Sequence, residues 1–252
     1  MNIYLDNNIV IDIEDGNYIL EELLSKIGIS QSKIFYSSVH ITEADEMTAQ
    51  DKAQKIEKRC RTISNLTSNN YIHLDAKTHA IHKQIVRPEE ILKRHKYWTN
   101  NSTSGAFQKT ELGTVSQEQR VAFRESLGLD PKEINNYTVK EVIEQFEINK
   151  DKFGNMSLPE LIETATRIKL GRSATTLTKI VATFELLDMI GFWKDIYTTK
   201  SDFARAQDSQ HCVSASVCDY FISNDKRTRN KSRLVYDIFK INTKVVDSNG
   251  FE

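Results

Sequence analysis

Four carboxylates stand where an α/β chain gathers chemistry: Asp6, Glu43, Asp208 and Asp225. Asp6 ends the apolar run Asn2 to Leu5, and Asp225 follows Tyr220-Phe221-Ile222 across the polar residues Ser223 and Asn224. In open parallel sheets the crevice beyond the carboxyl ends of the strands is where ligands bind, so both aspartates point to such a crevice. Glu43 falls in the opening turns of the helix expected after the second strand. Asp208 falls inside a helical segment and shares a face with His211, Cys212 and Ala215. Four such groups converging without a counter-charge would raise one another's pKa and cost stability, so the pattern implies a cation. Oxygen ligands favour Mg²⁺ or Mn²⁺ over zinc. Two such ions roughly 3.5 to 4 Å apart activate a water and steady the leaving oxygen of a phosphodiester, which is hydrolysis without a covalent intermediate.

Singly, an aspartate at a strand end is by its local preferences a helix cap or turn former. Glu43 shares its helix with Asp45 and Glu46, which by default form a solvated face, and Glu46 competes with it for the same role. The expectation therefore rests on the joint pattern of two strand-end aspartates and two helix carboxylates in one frame. Asp12, Asp219 and Asp247 are alternates, with Asp219 placed to cap or turn the chain before its strand.

Behind Asp225, the cations Lys226, Arg227, Arg229, Lys231 and Arg233 are spaced to hold phosphates, which gives salt-dependent binding. Lys93-Arg94-His95-Lys96 and Arg167, Lys169 and Arg172 extend that track, with Tyr97 and Trp98 as candidates for base stacking. The competing reading is that these charges solvate helix surfaces. His79 and His82 have the spacing of two metal ligands, yet no third nitrogen or sulfur lies near them in sequence. His211, one helical turn from Asp208, either touches substrate or bonds within the fold. No Gly-rich phosphate loop and no GxSxG occurs, so nucleotide-driven and serine-hydrolase chemistry is without support.

The elements that must position these residues follow from the apolar pattern. Asn2 to Leu5 reads as a strand buried on both faces. Asp15-Gly16 breaks the chain, and Tyr18, Leu20, Leu23, Leu24 and Ile27 recur at helical spacing before Gly28. Ile34 to Tyr36 is a second strand, Ile41 to Leu66 a long helix and Tyr71 to Leu74 a short strand. From Arg87 to about Lys200 the pattern is helical and turn-rich, with helices at Leu158 to Leu170 and Leu177 to Trp193, the first opening on a capping box from Ser157. After Ser201 a helix to about Cys218, the strand Tyr220 to Ile222, a helix through Leu234 and Phe239 and the strand Lys244 to Val246 restore the α/β rhythm. Strands alternating with helices at both ends, with helices alone between, indicate one α/β domain with a helical insertion. Residues 1–86 and 181–252 form its core and residues 87–180 the insertion.

The chain's 252 residues carry 34 Lys and Arg against 35 Asp and Glu, a formal net charge of −1. Binding to nucleic acid by total charge is thereby excluded, while a local basic face is not. Three cysteines, Cys60, Cys212 and Cys218, show no CxxC spacing, which suits a reducing, cytoplasmic setting. No apolar run approaches the roughly 18 residues of a membrane helix, so neither secretion nor membrane insertion is expected.

Three segments carry a family resemblance. Ile3-Tyr4-Leu5-Asp6-Asn7-Asn8-Ile9-Val10-Ile11 resembles the opening strand of PIN domains, and Tyr36-Ser37-Ser38-Val39-His40-Ile41-Thr42-Glu43 their second strand and acid-bearing helix. The longest match runs from Asp208 through His211, Ala215 and Tyr220-Phe221-Ile222 to Asp225-Lys226, and is similar to the family's acidic helix residue, alanine-rich helix, strand and acidic loop. The resemblance covers roughly residues 1 to 75 and 180 to 252. It implies a Rossmann-like, three-layer α/β fold with a central parallel sheet, and Asp6, Glu43, Asp208 and Asp225 around one or two Mg²⁺ or Mn²⁺ ions. Asn7 stands where many members have Thr or Ser and keeps a polar group beside the ligands, as do Asn224, His211 and Glu46. The implied activity is that of a nuclease hydrolysing single-stranded RNA, the alternatives being a non-catalytic RNA-holding or assembly subunit and a structure-selective DNA nuclease. Nucleic acid is the expected partner, RNA ahead of DNA, with a second copy of the chain or an inhibitory protein as further candidates and no membrane. Many small relatives are toxins, and the insertion departs from their simple pattern.

Overall fold

Ile3, Tyr4 and Leu5 can bury side chains on both faces of a sheet only as its central strand, and that is where they lie. The computed structural model describes residues 1–47, 49–75, 78–101, 117–128, 136–170, 175–193 and 199–251. Its sheet has six strands, β1 (Asn2–Leu5), β2 (Lys33–Ser37), β3 (Asn70–Leu74), β4 (Ile81–Ile85), β5 (Tyr220–Ile222) and β6 (Lys244–Val246), in the order β4-β3-β2-β1-β5-β6. All neighbours are parallel except β3 and β4. The chain leaves β1 towards β2 on one side and returns on the other as β5, so the order reverses at β1 and β5. Asp6 and Asp225 follow these two strands, on either side of the point where open α/β sheets bind ligands.

The chain divides into two compact units. The first, residues 1–105, 210–229 and 242–252, holds the sheet with α1 (Asn7–Glu14), α2 (Leu20–Lys26), α3 (Ser38–Glu46), α4 (Lys52–Thr67) and α5 (Pro88–Asn101). Its core joins Ile3, Leu5, Ile34, Tyr36, Tyr71 and Ile222 from the sheet to Ile9, Leu23, Ile41, Ile56, Cys60 and Ile63 from the helices. The second unit, residues 106–209 and 230–241, is helical: α6 (Gln117–Leu127), α7 (Val139–Ile148), α8 (Leu158–Leu170) and α9 (Thr176–Ile190), with most of α10 (Thr199–Ala215) and the latter part of α11 (Lys226–Ile238). Val142, Phe146, Ile162, Leu187, Phe192, Trp193 and Leu234 form its core. The chain passes between the units at 105/106, 209/210, 229/230 and 241/242, where the apolar pattern suggests 86/87 and 180/181.

Some segments differ from the form their apolar pattern suggests. The segment Ile41 to Leu66, a single helix by its apolar pattern, is two helices, α3 and α4. Asn7–Glu14 is a helix, α1, capped by Asp6, whose side chain accepts from Asn7 N–H. Ile81–Ile85 is an edge strand, and its largely exposed side chains give it no apolar signature. Cys60, Cys212 and Cys218 are buried and free. Among the described residues no helix is long and apolar enough to cross a membrane.

Candidate active site

Asp6 ends β1 and opens α1, so its carboxylate faces out of the sheet's carboxyl edge while burial leaves the residue only 5% exposed. Each oxygen has its own partner: Oδ1 accepts from Asn7 N–H at 2.7 Å, and Oδ2 from Ser223 Oγ at 2.5 Å and Asn8 Nδ2 at 2.7 Å. Glu43 reaches the same place from α3. Its Oε2 accepts from Asn7 Nδ2 at 2.5 Å and its Oε1 stands 3.2 Å from His211 Nε2, which is also 3.7 Å from Asp6 Oδ1. One imidazole nitrogen therefore sits between the two acids.

The two carboxylates titrate in opposite directions. Burial lifts the Asp6 carboxyl above its ordinary value, against the pull of His211 and of the Ser223 hydrogen bond. Burial pushes Glu43 the same way, but there the charge and hydrogen bond of His211, helped by Asn7, outweigh it and hold the carboxyl below its ordinary value.

Behind the acids lies a buried relay. Tyr4 Oη is 2.8 Å from His211 Nδ1 and 2.7 Å from Ser37 Oγ. His40 Nδ1 accepts from Ser37 N–H at 3.2 Å and its Nε2 lies 2.9 Å from Leu5 O, partners that put the His40 proton on Nε2. Burial, then His211, push the His40 pKa down to about 3, so this ring is neutral. His211 turns Nε2 to the carboxylates and Nδ1 to the Tyr4 hydroxyl, so one imidazole links the acids to Tyr4.

Arg59, on α4, carries no signal of its own in the sequence. It grips Glu14 with Nε at 2.9 Å and Nη2 at 3.2 Å, and donates from Nη1 to Asn7 Oδ1 at 3.1 Å. Because Asn7 gives its amide hydrogens to Glu43, this fork fixes which way the amide points. On the other flank Asn224 donates to Asp12 and Tyr18, each at 3.3 Å, and its N–H bonds Asn8 Oδ1 at 3.1 Å.

The remaining sequence candidates fall elsewhere. Asp225 is exposed, and its Oδ1 accepts from the N–H groups of Arg227 and Thr228 at 2.7 and 3.3 Å; it caps α11. Its own N–H bonds Ser223 Oγ, one link from Asp6. Asp208 is half-buried on α10, one turn before His211, and belongs to the helical unit. Glu46 is exposed at the end of α3. Among the cations, Lys226 and Arg227 are exposed, and Arg233 is half-buried with Nη1 3.4 Å from Asn230 Oδ1. Lys231 is corrected outright: it is 1% exposed, its Nζ 2.5 Å from Asp188 Oδ1. Arg229 bends back to Ser223 O at 2.8 Å and towards Asp247, so it too faces the fold rather than a ligand. Asp219 does turn the chain, accepting from Asn2 N–H at 2.6 Å. Arg172 lies outside the described residues, as do the side chains of Trp98 and Lys169.

Among the described residues no group of three or more His, Cys, Asp or Glu side chains is arranged so that it could hold a metal ion. Asp6 and Glu43 are oxygen donors of the kind a hard divalent cation takes, and each turns one oxygen towards His211 Nε2. No protein-family model, curated protein or solved structure matches the chain.

Proposed function

We propose that the chain is a nuclease of the PIN kind that hydrolyses single-stranded RNA with the help of Mg²⁺ or Mn²⁺. The observation that carries this reading is the shared aim of Asp6 Oδ1 and Glu43 Oε1 at His211 Nε2, on the carboxyl edge where the strand order reverses. Asp6 and Glu43 would hold the ion; Asp225 caps a helix and Asp208 belongs to the other unit, so neither is counted among its ligands. Bound there, the ion supplies Lewis acidity and lowers the pKa of a water.

The chain's own residues do the orienting. Ser223 and Asn8 hold Asp6 Oδ2, and Asn7 holds Glu43 Oε2, so each carboxylate keeps its other oxygen turned inward. Exposed Lys226 and Arg227, next to Asp225, are placed to meet a phosphate. One observation favours a second reading, a non-catalytic RNA-holding subunit: His211 Nε2 already stands between the carboxylates, hydrogen-bonded to Glu43 at 3.2 Å and 3.7 Å from Asp6.

The test is end-labelled single-stranded RNA incubated with Mn²⁺, with and without chelator, with branched DNA run alongside. The native chain, Asp6→Asn and Glu43→Gln are compared. Cleavage by the native chain alone, abolished by chelator, is the expected result. Equal products from all three proteins would end the nuclease reading, and RNA retained without cleavage would favour the second one.

A further inference from the structure

The sheet's far edge carries aromatic groups that the acid site does not use. His73 on β3 and His82 on β4 are directly opposed across the antiparallel pair, so both side chains leave the same face. Their rings are 25° from parallel with centroids 6.5 Å apart. His73 also lies 29° from parallel to Tyr71, at 6.1 Å. Tyr71 is buried, His73 half-buried and His82 exposed, so a row of near-parallel rings runs from the core to solvent. Core packing accounts for Tyr71 but not for His82.

The register places this row beside the acids. β2 and β3 are parallel with Ser37 level with Ile72, so His73 is level with Ser38, the first residue of the helix that carries Glu43. Strands lie about 4.8 Å apart, which puts His73 roughly 10 Å and His82 roughly 14 Å across the sheet from β1. That is a few nucleotides of an extended single strand. Positive charge stands nearby: Arg94, exposed on α5, acts electrostatically on the Tyr71 hydroxyl, and Lys93 and Lys96 are exposed on the same helix.

We propose that His73 and His82 form a base-stacking subsite for single-stranded nucleic acid, with the exposed cations of α5 holding its phosphates. Imidazole faces stack on any nucleobase, so the subsite holds the strand without reading its sequence. Its distance from Asp6 and Glu43 as a working subsite rests on the nuclease reading; its capacity to bind a strand does not.

Binding and cleavage are therefore measured apart, on the full chain. Fluorescence anisotropy with a labelled single-stranded RNA of about ten nucleotides, in chelator, compares the native protein with His73→Ala/His82→Ala and with His73→Phe/His82→Phe. The alanine pair is expected to weaken binding about tenfold and the phenylalanine pair to restore it. Cleavage of a dinucleotide in Mn²⁺, too short to span both places, is expected to be the same for all three. Ten-nucleotide binding by the alanine pair as tight as native, or no binding by the native chain, overturns the subsite. Absence of cleavage by the native chain counts against the nuclease reading alone, because the anisotropy contains no hydrolysis.

Discussion

Arg59 Nη1 stands 3.1 Å from Asn7 Oδ1, and through that hydrogen bond a residue of α4 determines which face of the Asn7 amide meets Glu43. Reversing the amide would set an oxygen against the Glu43 carboxylate. The acid's orientation therefore depends on a cation that never touches it.

The first prediction concerns that cation. Arg59→Ala leaves Glu14 without its two-pronged partner and Asn7 without its fixed orientation, so unfolding in urea should show a loss of about 2 kcal/mol. Arg59→Lys keeps the charge but not the fork, and should recover stability more fully than Mn²⁺ affinity. Equal recovery of both would show that Arg59 acts on the fold alone.

Lys231 and its neighbours on α11 give the second. Lys231→Met strands the Asp188 carboxylate in the second unit's interior, at a cost of about 3 kcal/mol, and adding Asp188→Leu should return much of it. RNA binding should keep its salt dependence in that double variant. In Lys226→Ala and Arg227→Ala the slope of log affinity against log salt should fall by about one for each phosphate no longer neutralised. A shallower slope in the Lys231 variant would contradict its burial.

These two cases also show what was legible in the chain. The strands β1, β5 and β6 were, because short apolar runs ended by polar residues have few other uses. β4 was not, because Ile81-His82-Lys83-Gln84-Ile85 lies at an edge where burial writes no pattern. The basic cluster misled for a geometric reason: residues on a helix turn about 100° each, so five cations between Lys226 and Arg233 cannot share one face. Lys231 falls on the buried side and Lys226 and Arg227 on the open one. Asp6 and Glu43 stand out in the sequence by type and place, whereas Arg59 is remote in sequence from both and only folding brings it near.

His40 supplies a pH prediction. Burial pushes its pKa down to about 3 from an ordinary 6.5, so between those values the unfolded chain takes up a proton that the native chain refuses. Its contribution to stability is complete above the unfolded value and is lost as pH falls towards the folded one, by up to about 1.4 kcal/mol per pH unit. His40→Gln keeps an acceptor for Ser37 N–H and a donor for Leu5 O but does not titrate. Urea unfolding between about pH 7 and about pH 4 should therefore give a flatter profile for the variant than for the native chain. Parallel profiles would mean that other groups govern the acid limb.

The last prediction turns on the exchange of a hydrogen-bond donor for an ion. His211→Ala removes the N–H that stands between Asp6 Oδ1 and Glu43 Oε1, leaving a buried and a half-buried carboxylate with nothing between them. Without metal the variant should lose about 2 kcal/mol, from the missing hydrogen bond and from like-charge repulsion. A divalent ion answers both deficits, and at about 100 times its Kd it adds about 2.7 kcal/mol to whichever protein binds it. Mn²⁺ should therefore raise the melting temperature of His211→Ala more than that of the native chain, where the ion must displace the imidazole. The gain should disappear in His211→Ala/Glu43→Gln, which offers one carboxylate instead of two. If Mn²⁺ leaves all three melting temperatures unchanged, Asp6 and Glu43 do not hold a metal, and the bridging histidine is the resident partner of both acids.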